Sequence, residues 1–225
     1  MAMTVKQLET AVKQLNGEIK ELKEQVAENA LAKDYVQIWK LMSTYSHLYY
    51  LGRYSEVPGL FAQKKRGVTM EIEDSGVYEG VDSIKRFWTE VFDVERMHRT
   101  PGWLAVHMTV NPVIEINEKG TEARGIWHSH GFVSMVRIDG YAQNLCMGKY
   151  IVDYVKEDGQ WKFYHFSYRI AFMCPYEKGW VEEPITAAIG GNPANRPDKP
   201  ITYHMPYSRY RINTFEPGPP QPYDD

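Results

Sequence analysis

Three stretches between Leu104 and Met173 set ionisable side chains among apolar and aromatic residues: LAVHMTVNPVIEI with His107, ARGIWHSHGFVSMV with His128 and His130, and DGQWKFYHFSYRIAFM with His165 and Arg169. Each reads as a strand, and strands alternate sides. His128 and His130 therefore share one face of theirs, and His165, Ser167 and Arg169 share one face of theirs. An imidazole titrates near neutrality, so in a pocket it takes a proton from an activated carbon or a phenol and hands it to a leaving oxygen. The plainer reading of each is a half-buried strand histidine bonded to backbone. Arg169, if buried, needs an anion, from Glu71, Glu73 or Asp153 of its own chain or from a substrate. Tyr45, Tyr49 and Tyr50 lie on a helical segment, where they either pack or donate hydrogen bonds to an oxygen gaining negative charge.

His128-x-His130 has the spacing of a metal pair, but GFVSMVRIDG supplies no following glutamate, and only His107 or His165 offers a third ligand. No metal is expected. The chain lacks a phosphate loop, a dinucleotide fingerprint and a G-x-S-x-G elbow, so no cofactor is expected either.

The elements that must hold these groups are legible from periodicity. Val5, Leu8, Val12, Leu15, Ile19, Leu22 and Val26 recur by threes and fours as a coiled-coil seam over residues 4–28, and a second helix is expected from Asp34 to about Tyr50, stopped near Gly52. EVPGLFAQ closes a short helical turn, residues 66–79 alternate as a strand pair turning at Asp74-Ser75-Gly76, and GVDSIKRFWTEVFD is an amphipathic helix. Long antiparallel strands follow, with turns at Glu118–Gly120, Asp139–Gly140 and Asp158–Gly159. That order predicts an α+β fold with helices on one side of a curved sheet, enclosing a cone-shaped cavity.

Ten of the 13 prolines lie from Pro175 onward, so residues 175–225 read as extended polypeptide; their aromatics predict that most of it is pinned across the domain or a neighbouring subunit. The expected division is 1–30 coiled-coil helix, 31–174 barrel domain and 175–225 tail. A net charge of −3 gives no footprint for nucleic acid or anionic membrane. With two cysteines, neither in a C-x-x-C pair, and a charged amino terminus, a cytoplasmic protein with reduced thiols is expected.

The leading helix into that bearing Tyr45, then GLFAQ, YEGVDSIKRFW, HMTVNPVIEI with GTEARGIW, and DGQW followed by SYRI, together resemble the SnoaL-like branch of the nuclear transport factor 2-like fold, which includes scytalone dehydratase and the bile acid 7α-dehydratase. The resemblance spans roughly Leu8 to Phe172. It implies a cone-shaped α+β barrel and a cofactor-independent lyase that eliminates water or another small group from a hydrophobic, ring-bearing molecule. It also implies His107 and His130 as acid and base, with Tyr45 and Arg169 stabilising the oxyanion. Tyr49, Tyr50, Trp127, His128, His165 and Phe163 are expected to touch substrate. Where the family's helix brings an aspartate to orient the histidine, this chain has Tyr49, Tyr50 and Leu51. Deformylating retro-aldol cleavage and double-bond isomerisation need similar residues. A non-catalytic binding or assembly module is the reading from a different class. A homo-oligomer is expected: the resemblance implies a trimer, while Val/Ile alternating with Leu leans towards two strands.

Overall fold

The computed structural model describes residues 3–72, 75–91, 100–137, 140–185 and 195–224. The two expected amino-terminal helices are one, α1, running unbroken through Val5–Tyr50. The join, Glu28 to Lys33, contains neither Gly nor Pro and is rich in alanine, so nothing there stops a helix. Thr4 opens it with a capping box completed by Gln7. Gly52, at φ +69°, closes it: its N–H reaches the Tyr49 carbonyl at 3.1 Å, while that of Arg53 reaches Leu48 at 2.9 Å, the Schellman pattern.

The halves of α1 live in different surroundings. From Ile38 on, Met42, Tyr45, Leu48 and Tyr49 form one buried stripe, whereas Val5 through Val26 stand between 48% and 73% exposed along the seam. Asp34 marks the boundary. Its buried carboxylate accepts from Lys156 Nζ at 2.7 and 2.8 Å and from Trp161 Nε1 at 3.0 Å, tying the helix to the sheet where it leaves the domain.

A 3₁₀ turn at Tyr54–Leu60 follows, then β1 (Thr69–Ile72), β2 (Gly76–Glu79) and α2 (Gly80–Arg86), which continues as a π-turn over Phe87–Val91. Next come β3 (Leu104–Ile116), β4 (Glu122–Arg137), β5 (Gly140–Glu157) and β6 (Gln160–Pro175), and a short helix α3 (Gly179–Glu182). Asp74 and Asp139 of the expected turns, Glu73, and the end of the FWTEVFD helix lie outside the described residues. Six strands form one sheet, β2-β1-β6-β5-β4-β3, antiparallel except where β1 runs parallel to β6. The sheet is curved and open, with α1 and α2 on its inner face. The fold class is thus α+β as expected.

Bulges shape the curve, and they decide which side chains face inward. On β6, Phe163 pairs with Tyr154 and His165 with Asp153, so Tyr164 is an extra residue; another irregularity falls where Met147 pairs with Phe172 and Gly148 with Ile170. Trp161 and Phe163 point in, but after Tyr164 the inward set becomes Phe166, Tyr168 and Ile170. Beyond β6, the segment from Asn195 is extended and pinned. It pairs with β2 through Val77 and Lys199, then crosses the outer sheet face, where Tyr207 N–H meets the Ala171 carbonyl at 2.6 Å and Tyr223 lies 4.2 Å from the Arg124 guanidinium. Among the described residues no helix is long and apolar enough to cross a membrane.

Candidate active site

β3 and β4 pair with His107 opposite Gly131 and Met108 opposite His130. Residues directly opposite in an antiparallel pair point the same way, so this register sends His107 inward and His130 outward. His107 is 5% exposed. Its ring meets the Tyr49 ring edge-on at 5.0 Å and the Tyr168 ring at 5.4 Å, and its own carbonyl accepts from Ser46 Oγ at 2.6 Å. Nδ1 has no hydrogen-bond partner. Gly131 makes this placement possible: a Cβ there would come within 2.8 Å of the Val106 carbonyl and 3.2 Å of His107 Nδ1. Gly148 gives the same clearance to Tyr168, whose hydroxyl would otherwise lie 3.0 Å from a Cβ.

Around the imidazole the interior is phenolic. Tyr45 Oη and Tyr150 Oη share a hydrogen bond at 3.3 Å, Tyr168 Oη sits 3.1 Å from Cys146 Sγ, and the rings of Tyr150 and Tyr168 lie 4.5 Å apart. Trp88, Phe163 and Phe166 meet Tyr45 edge-on. Burial first, and neighbouring phenols second, push the pKa of Tyr49 and Tyr150 well up; in Tyr168, Cys146 adds to burial in the same direction. Burial alone lowers His107 to about 4. At neutral pH the interior therefore holds a neutral base among protonated hydroxyl donors.

Of the residues expected at the site, the structure brings together His107, Tyr45 and Tyr49. Phe163 and Trp127 are inside as core: Phe163 packs on Phe61 and Tyr45, and Trp127 donates to Tyr154 Oη at 2.9 Å. The others are corrected. His130 and His128 are exposed on the outer face, because Trp127 fixes the inward parity of β4, and the inward residue between them is Ser129. His165 is exposed and bonds Asp153 at 2.9 Å; the Tyr164 bulge turned it, and Arg169 after it, outward. Tyr50 is 49% exposed at the end of α1. Histidine type alone did not point to Ser129, Cys146, Tyr150 and Tyr168. Counting alternate residues from Trp127 on β4 reaches Ser129, and from the paired Tyr150 on β5 reaches Cys146; Tyr168 lies beyond the β6 bulge, where counting from Trp161 gives the wrong face. Among the described residues no three His, Cys, Asp or Glu side chains converge as a metal site.

The chain belongs to the SnoaL-like family, whose domain profile matches residues 30–167. No curated protein matches. Among solved structures, the fold is shared with a protein from Novosphingobium aromaticivorans provisionally named a scytalone dehydratase, at 20% identity over 71% of this chain and 98% of that one, with a TM-score of 0.54. It is shared also with LinA, at 16% identity over 66% and 93% and a TM-score of 0.56. A third is the hexachlorocyclohexane dehydrochlorinase LinA-type3 from Novosphingobium barchaimii, at 17% identity over 66% and 93% and a TM-score of 0.52. These likenesses establish the nuclear transport factor 2-like fold.

Proposed function

We propose that the chain is a cofactor-independent lyase acting on a hydrophobic, ring-bearing molecule held between the docked half of α1 and the inner sheet face. The observation that carries this reading is His107: a buried, neutral imidazole with an unpartnered nitrogen, walled by phenols that burial keeps protonated. His107 would take a proton from the carbon beside a substrate carbonyl, and the C–H electron pair would pass into an enolate. The Tyr45 and Tyr49 hydroxyls would donate to its oxygen. Collapse of the enolate breaks the bond to a β-oxygen, and the imidazolium returns its proton there, releasing water. One group thus serves as base and acid. Burial disfavours imidazolium on its own, but the enolate formed in the same step supplies its counter-charge. The named relatives that eliminate water or hydrogen chloride make elimination the leading reaction. That His107 is the one buried imidazole among the described residues also favours a second reading, isomerisation of a double bond beside a carbonyl, because that too needs one group to take and return a proton.

Ring-fused β-hydroxy ketones, with 3-hydroxyindan-1-one as the first probe, would be incubated in D₂O and followed by NMR. Elimination or solvent exchange at the α-carbon is expected with the parent, and a loss of about 10²–10⁴-fold in His107→Gln. Equal turnover by parent and variant would remove His107 from the mechanism. Exchange without elimination would select isomerisation.

A further inference from the structure

The carboxyl-terminal segment closes a cavity of about 360 Å³ on the opposite face of the sheet from His107. Its floor is β5 and β6, its roof the segment around Tyr203, Tyr207 and Phe215, and its side Trp180, stacked on Phe172 at 5.0 Å. Two cations stand in this aromatic frame. Lys149 Nζ donates to the Pro217 carbonyl at 2.8 Å, and Arg169 donates to the Glu216 carbonyl at 3.1 Å while its guanidinium lies 4.2 Å from the Tyr203 ring. Both spend their charge on neutral backbone oxygens, and Arg169 Nε is buried with no hydrogen-bond partner.

The carboxylates that Arg169 was expected to use are elsewhere. Glu71 accepts from Thr202 and Asp153 from His165, while Glu73 lies outside the described residues. Among the described residues Glu216 is the one carboxylate lining the cavity, near Lys149, and His128 adds an imidazole to the wall. Burial lowers the Lys149 pKa, with Glu216 opposing and Arg169 reinforcing.

We propose that this cavity is a second binding site, separate from the site around His107, for a flat organic carboxylate. The ring lies among Phe172, Trp180 and Tyr207, and the carboxylate accepts from Arg169 Nε and Lys149 Nζ. Charge-assisted bonds from a guanidinium favour a planar anion, and an apolar pocket of this size suits one or two fused rings.

The probes are 2-naphthoate and its neutral counterpart 2-naphthamide, titrated calorimetrically into the full chain. Saturable 1:1 binding of naphthoate is expected, at least about tenfold tighter than the amide. Arg169→Gln and Lys149→Met should each erase most of that preference, and His107→Gln should leave it intact. Quenching of tryptophan fluorescence by naphthoate should fall in Trp180→Phe. Should Arg169→Gln fail to fold by circular dichroism, Lys149→Met and Trp180→Phe carry the test. No saturation up to low-millimolar naphthoate, equal affinity for the amide, or loss of binding in His107→Gln with retention in Lys149→Met would each overturn the proposal.

Discussion

His107 has given up its solvation and gained no polar partner at Nδ1, and this has a measurable signature. With a pKa of about 4 in the folded chain against about 6.5 unfolded, the unfolded state binds more protons between those values. Stability should therefore be fully present above pH 6.5 and fall by roughly 3 kcal/mol as pH drops to 4. Urea denaturation at pH 7, 5.5 and 4.5 checks this: His107→Gln should flatten that part of the profile, and an unchanged slope would mean the ring is solvated. At this scale the sequence was partly legible. The motif around His107 and the tyrosines at 45 and 49 pointed to residues that the fold does bury together, because an aromatic helix face and an apolar strand both have to be buried. The histidine paired with His107 in that reading, His130, lies on the outer face, since a histidine's type says nothing about its face.

Faces are decided by elements, and here by a single extra residue. Had Tyr164 been paired as a regular strand residue, strict alternation from Trp161 would have turned His165, Ser167 and Arg169 inward. A bulge has no compositional mark in FYHFSYR, so β6 was readable as a strand while its phase was not. The unity of α1 was hidden for the opposite reason: the seam and the buried stripe occupy different sides of the helix, and a change of pattern reads like a boundary. The joint between them rests on Asp34, with 11% of its side chain exposed, facing Lys156 with 23% exposed. Asp34→Ala strands a half-buried ammonium and the Trp161 N–H, so a loss of roughly 2–3 kcal/mol is expected. Thermal unfolding checks it; a change within about 0.5 kcal/mol would mean the joint carries no stability.

The whole molecule presents a domain with a free-standing rod, and the order of helices and strands sufficed to place helices on one side of the sheet. The cavity beneath the tail was not foreseeable, because nothing in a proline-rich run says which face it will cross. We propose that the rod joins copies of the chain. Its seven seam residues are all exposed, and in a parallel register Glu18 of one helix would face Lys23 of its partner across the seam. Light scattering at micromolar concentration should give the mass of two or three chains, and a mass near 26.1 kDa would refute it. Since α1 has no hinge, the rod and the active cavity are geared together. At ~100° per residue the centre of the seam lies roughly 120° around the helix axis from the stripe bearing Tyr45 and Tyr49. One residue inserted near Ala30 would turn every domain of an assembly by about 100° and move it about 1.5 Å along the axis, so the length of this helix sets the azimuth at which neighbouring cavities face each other.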